Sequence, residues 1–124
     1  MRRPGDSLVV QDRTATADGS GTGVISPAAT HVSVTSANSA HLVTLPAPVV
    51  GAQLVINVGA NGFELVSSSP TTISINSGVA TTGVASSSIP ANSTIIAICI
   101  STTAWKAIFL DADSDVAKVE VAST

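Results

Sequence analysis

The sequence predicts an all-β protein, folded as a single-domain antiparallel β-sandwich, and three observations carry the prediction. From Val24 onward, short runs rich in Val, Ile and Thr recur between clusters of Gly, Pro, Asn and Ser, the pattern of strands and turns. No window shows the 3.6-residue apolar period of an amphipathic helix. Ile95-Ile96-Ala97-Ile98-Cys99-Ile100, followed after a short turn by Ala104-Trp105-Lys106-Ala107-Ile108-Phe109-Leu110, has the composition of a central hairpin. Its first run offers no polar face to water, so both faces call for cover. One face packs on the second sheet, and a second subunit is the expected cover for the other.

The elements follow in chain order. Residues 1–22 hold Arg2, Arg3 and Arg13, three of the five basic residues, and then a Gly-, Ser- and Thr-rich stretch. A segment this polar buries little, so it is expected to be a flexible N-terminal arm, with the β-sandwich domain spanning 23–124. Gly19-x-Gly21-x-Gly23 lacks the Lys-Ser/Thr ending of a phosphate loop and is expected to be a linker. Strands are expected at 31–36, 41–45, 53–58, 63–67, 71–76, 94–101, 104–110 and 116–122. Thr71 to Asn76 places Ile73 and Ile75 on one face, and Ala117 to Val121 buries Val119 and Val121 while Lys118 and Glu120 face water. The Gly- and Asn-rich connection Gly59-Ala60-Asn61-Gly62 suits positive φ, so 53–58 and 63–67 are expected to pair as a hairpin. Pro46, Pro48 and Pro70 fall in connections, where a missing N–H breaks no ladder. Ser77 to Pro90 shows little pattern and is expected to be a long loop at an exposed end or a subunit contact.

Composition bounds what such a domain can do. At 124 residues and 12.3 kDa the chain is one domain with a real core. One cysteine leaves no disulfide framework, and Cys99, set in the most apolar run, is expected to be a buried hydrophobe. The start lacks the apolar region of a signal peptide, and no segment approaches the ~20 apolar residues of a membrane span. The expectation is a protein made in a cytoplasm, with no membrane partner. The formal charge is -3, but between Gly19 and Trp105 the only Asp, Glu, Lys or Arg is Glu64. Natural sheets use surface charge to blunt open edges. A flank this bare suits contact with other copies or with a larger lattice, although an ordinary neutral sandwich with hidden edges has the same composition. No basic stripe exists, so nucleic acid is not an expected partner.

Candidate chemistry is sparse. There is no Gly-x-Ser-x-Gly elbow, no His-Glu-x-x-His helix and no cysteine pair, and the chain is not expected to be an enzyme or to take a cofactor. His31 and His41 are expected to be solvated or hydrogen-bonded strand residues, with ligation of a metal at a subunit axis as the alternative. Asp111, Asp113 and Asp115 form the one acidic cluster and are the weak candidates for a metal site. Val116 stands where an EF loop needs Gly and no bidentate Glu follows, so turn chemistry accounts for the aspartates equally well. Asn92-Ser93-Thr94 matches a glycosylation triplet, expected to be idle. Trp105 and Phe109 share one strand face, opposite Lys106 and Ile108, which favours burial over an aromatic sugar platform. Ile96, Ile98 and Ile100 share the other face of their run and are the candidate subunit interface.

Six short stretches carry a resemblance: Leu45-Pro46-Ala47-Pro48, Gly62-Phe63-Glu64-Leu65, Ile73-Ser74-Ile75-Asn76, Ser88-Ile89-Pro90-Ala91-Asn92-Ser93-Thr94, Thr103-Ala104-Trp105-Lys106, and Ala117-Lys118-Val119-Glu120-Val121-Ala122. Over residues 40–122 the chain resembles small head structural proteins of tailed bacteriophages, the capsid decoration or cement proteins. The resemblance implies a jelly-roll-like protomer, a homotrimer on the three-fold positions of an icosahedral virion, and the major capsid protein as partner. Arg2, Arg3 and Arg13 are then the candidate capsid-binding residues of the arm. The alternative is a head-fibre or receptor-binding tip that touches a host glycan through the loops at 59–62 and 77–90.

Overall fold

Alternating apolar and polar residues in this chain build strands with one buried face, and the computed structural model describes them over residues 8–79 and 87–121. Ten strands form: β1 (Val10–Thr14), β2 (His31–Thr35), β3 (Leu42–Thr44), β4 (Gln53–Val58), β5 (Phe63–Val66), β6 (Ser74–Ile75), β7 (Ser87–Ile89), β8 (Thr94–Ser101), β9 (Ala104–Leu110) and β10 (Val116–Lys118). No α-helix occurs among the described residues, and one 3-10 turn spans Gly21–Gly23. The all-β expectation holds. β4, β8 and β9 have the expected bounds, whereas the expected strands at 71–76 and 116–122 contract to two and three residues.

The strands make two sheets. The larger has seven strands in the order β1-β2-β4-β8-β9-β10, with β6 also paired to β9, and the smaller runs β3-β5-β7. Pairing is mixed rather than antiparallel as the sequence suggested. β1/β2, β2/β4, β3/β5 and β6/β9 are parallel, while β4/β8, β8/β9, β9/β10 and β5/β7 are antiparallel. From β2 to β8 each strand lies in the sheet that its predecessor does not; β2/β4 and β3/β5, each joined through a strand of the other sheet, are parallel, whereas β5/β7, joined in the same way, is antiparallel. Only the last three strands, β8 to β10, turn back on themselves within one sheet.

The same route overturns the expected hairpin of 53–58 with 63–67. β4 belongs to the large sheet and β5 to the small one. The glycines between them serve close approach instead of positive φ. The Gly59 N–H donates to the carbonyl of Val34, the Asn92 N–H donates to the carbonyl of Gly59, and a Cβ on Gly62 would run into the Ile89 carbonyl. Positive φ falls elsewhere, at Gly19, Gly21, Gly51, Asn76, Ser77, Asn92 and Ser114 among the described residues.

Between the sheets lies one core. The large sheet contributes Val32, Val34, Leu54, Ile56, Ile95, Ala97, Cys99, Trp105 and Ala107, and the small sheet contributes Val43, Phe63, Leu65 and Ile89. Ile25, Ala29 and Val119 close it from the connections. Cys99 and Trp105 are buried as expected, and Phe109 packs against the core from its rim.

The expected arm needs correcting over its described part. Val10–Thr14 is an edge strand, parallel to β2, and Ala15 is buried. Thr16 bridges Leu42 and Val24 bridges Thr44, so 16–24 lines the small sheet. The backbone supplies the order that the side chains lack: β1 buries none of its own residues, yet its register with β2 is complete over all five. Residues 87–89, expected within a loop, form β7, while the rest of that loop at 80–86 lies outside the described residues.

Candidate functional site

Period-2 geometry sends Ile95, Ala97 and Cys99 of β8 into the core, and therefore sends Ile96, Ile98 and Ile100 to the opposite, outer face of the large sheet. No described residue covers them fully: they are 36%, 38% and 48% exposed. Register then shows who their neighbours are. One row across the outer face reads Val10, His31, Val55, Ile96, Ile108, Lys118 from β1 to β10, each residue paired with the next. The next row reads Asp12, Ser33, Asn57, Thr94, Leu110, Val116. On the other side, Ile98 lies between Gln53 and Lys106.

The centre of this face is thus apolar, built on β4, β8 and β9, with Lys106 of β9 its one charge beside Ile98. Ile108 is 39% exposed, much like the three β8 isoleucines. Full burial of an isoleucine side chain is worth roughly 1.5–3 kcal/mol. Covering the remaining two fifths of four such residues is therefore worth about 2–5 kcal/mol per protomer. The candidate interface residues are brought together as the sequence suggested, and the structure adds Val55, Ile108 and Val10. Alternation within each strand announced which of these point outward, but only the register sets them in a row.

The candidate arm residues divide. Arg2 and Arg3 lie outside the described residues. Arg13 lies in β1, where its guanidinium donates to the carbonyls of Asp12 (2.7 Å) and Val24 (3.4 Å), lying along the strand rather than reaching away from it.

The three aspartates lie on the β9–β10 turn with carboxylate oxygens within 4.8 Å of one another. One Oδ1 of Asp111 accepts the N–H groups of Asp113 and Asp115, each at 2.9 Å, and Ser114 takes a positive φ of 65°. Asp111 thereby fills the role of an Asx-turn residue that holds the tip together. A similar device orders the start of the chain: the Ser20 hydroxyl and then its backbone N–H donate to Asp18 Oδ1 at 2.7 and 3.1 Å, which holds the Asp18 carboxyl below its ordinary value.

His31 is half-buried in the outer row, its Nδ1 3.4 Å from the Thr30 hydroxyl. His41 opens β3, near the small sheet, so the two histidines belong to different sheets. Its Nδ1 is buried without a hydrogen-bond partner among the described residues, as are Ser87 Oγ and Trp105 Nε1. A shallow depression of about 530 Å³ is lined by Ser88, Phe109, Ala117, Lys118, Glu120 and Val121. Its lysine and glutamate pair with each other at 3.5 Å. Of the two loops considered for ligand contact, 59–62 is pinned to Val34 and Asn92 by backbone hydrogen bonds.

With these features in view, comparison with known proteins finds nothing to set beside them: no family model matches the sequence, and no curated protein or solved structure matches it.

Proposed function

We propose that this chain is a structural virion protein, a capsid decoration protein that binds the assembled head of a tailed phage as a homotrimer and stabilises it, with the major capsid protein as its partner. One observation carries the reading: the bare apolar centre of the outer face, Val55, Ile96, Ile98, Ile100 and Ile108, on a chain whose flanks carry almost no charge. Interface cores are depleted in charge in just this way. Patches of this kind on soluble proteins mark contact sites. A protein that works by engaging a lattice many times over multiplies modest contacts into firm attachment once its copies are joined.

The capsid contact is assigned to residues 1–7, which carry Arg2 and Arg3 and lead into β1. Arg13, the third basic residue of the arm, stands on the edge strand β1.

Native mass tests the reading. Light scattering at micromolar and nanomolar concentration is expected to give three times the 12.3 kDa chain mass. The double variant Ile96→Ser, Ile98→Ser is expected to give a folded monomer, since both side chains point away from the core. A monomeric native chain overturns the assembly reading. Deletion of residues 2–7 is expected to abolish binding to decoration-free heads while the oligomer persists, and undiminished binding removes the arm from the contact.

A further inference from the structure

Resting on that capsid reading, we propose that the protein stands on its end. The end of the sandwich at which β1, β2, β4 and β9 begin and β8 finishes lies against the capsid protein, with Val49 and Val50 as its central contacts, and the opposite end looks away from the shell.

The two ends are built from different residues, and the strand registers decide which turns belong to each. Residues 8–9, 26–30, 46–52, 67–73 and 101–103 gather at the first end. These turns hold no Asp, Glu, Lys or Arg. Four of their side chains are bare apolar groups: Leu8, Val9, Val49 and Val50, at 44% to 60% exposed. The Gly51 N–H donates to the Cys99 carbonyl and the Cys99 N–H to the Ala52 carbonyl, each at 2.9 Å. Those bonds fix the 49–52 turn to the finish of β8, beside Ile100, so the apolar end runs on into the outer face.

At the other end lie 36–41, 59–62, 90–93 and 111–115, tied together where Asn61 Nδ2 donates to the Ser36 carbonyl and the Asn92 N–H to the Gly59 carbonyl. They hold Ala, Ser, Asn, Gly, one Pro, one His and the three aspartates Asp111, Asp113 and Asp115, with no Lys or Arg. Val116, where β10 starts, is the one large apolar side chain exposed beside them among the described residues. Small polar groups and unopposed carboxylates make a poor contact core.

The chain that joins the apolar end says what covers it. Residues 1–7 meet the fold at Leu8 and carry Arg2 and Arg3 against one acidic residue, Asp6. Basic groups beside an apolar patch fit a protein surface whose apolar depression is rimmed by carboxylates. Three-fold assembly about an axis along the strands turns all three such ends the same way. One trimer then sets three patches on the lattice at once.

The test is binding of the full chain to decoration-free heads. The double variant Val49→Ser, Val50→Ser removes apolar contact without touching the core. It is expected to keep the native mass and melting temperature while weakening attachment by roughly 20-fold or more per protomer. The double variant Asp113→Lys, Asp115→Lys, at the far end, is expected to bind as the native chain does. Thiol labelling reads the orientation independently, because Cys99 is buried and Val50→Cys or Ala112→Cys each adds one accessible thiol. Both chains are expected to take maleimide when free, and only the Ala112→Cys chain when bound to heads. Native-strength binding by the serine variant, loss of binding in the lysine variant, or a Val50→Cys thiol still labelled on the heads overturns the end-on contact and leaves the capsid reading in place. A native chain that does not bind the heads overturns both.

Discussion

Asn76 ties the edge of the large sheet together, and its removal is a demanding test of the fold. It lies just past β6 in the left-handed region, at φ 52°. There β6 and β10 share the outer edge of β9, and the gap between them falls at Ala107. The Asn76 side chain fills the gap: its Nδ2 donates to the carbonyls of Ala107 (2.6 Å) and Val119 (2.8 Å), and its Oδ1 accepts the Ala107 N–H (2.9 Å). Asn76→Ala leaves the Ala107 N–H and the Val119 carbonyl without these partners, at ~1–3 kcal/mol each. Alanine also tolerates the left-handed conformation less well, by ~1 kcal/mol. Asn76 is half-buried, so water takes up part of the vacated site, and the expected loss is about 2–4 kcal/mol out of a typical 5–15. In urea this lowers the midpoint by about 1–2 M at unchanged slope. Asn76→Gly, which keeps the conformation but not the bonds, is expected to lose ~1 kcal/mol less than the alanine variant. Asn76→Asp turns a carboxylate toward two carbonyl oxygens, raising its folded pKa above the unfolded value. Its stability is therefore fullest below the unfolded value, about 3.9, and is lost as pH rises through the folded one. An Asn76→Ala midpoint within error of the native one refutes the clamp.

Gly62→Ala drives a Cβ into the backbone carbonyl of Ile89 and is expected to cost more than ~2 kcal/mol. Gly21→Ala, which meets nothing within 4 Å and suffers only from its φ of +59°, is expected to cost ~1 kcal/mol by thermal melting. Asp111→Ala is expected to cost about 1 kcal/mol by opening the β9–β10 tip, and Asp111→Asn, which keeps an acceptor, less than half of that. Asp18 gives a pH signature. The hydrogen bonds from Ser20 hold its folded pKa below the ordinary value of 3.8, so its contribution is complete above that value and is lost as pH falls through the folded pKa. Ser20→Ala, read by NMR titration, is expected to return Asp18 toward the ordinary value.

Sequence pattern located the strands whose side chains decide their burial. In β4, β8 and β9, alternating Leu, Ile, Val and Ala leave little choice of face, and the bounds 53–58, 94–101 and 104–110 follow directly. β1 escaped because Gln11, Asp12 and Arg13 are not buried, so the backbone ladder with β2 and hydrogen bonds to Thr22, Val24 and Ser26 hold it. β7 escaped because Ser87 and Ser88 look like loop residues, although Ser87 is fully buried. The hairpin expected across 59–62 failed because Gly has two uses. Here it allows backbone to touch backbone, and sequence alone does not separate that from positive φ. The outer face was half legible: periodicity placed Ile96, Ile98 and Ile100 together, while the row that joins them to Val55 and Ile108 depends on pairings between distant strands.

The passage of the chain back and forth between the sheets sets the order in which the protein can be made. β2 finds β4 only after β3 has been laid down on the opposite sheet, and β4 waits for β8, some forty residues on, before its second edge is paired. Among the described residues, the hairpins β8–β9 and β9–β10 are the local nuclei of the large sheet. Non-local pairing of this kind is slow, on the order of milliseconds to seconds. During synthesis the first ninety residues therefore leave the ribosome without the strand that completes their sheet, and β8 is the switch for cooperative folding. Circular permutation that moves β8 to β10 ahead of β1 is expected to shorten that wait, exchanging a post-translational fold for one that begins on the nascent chain.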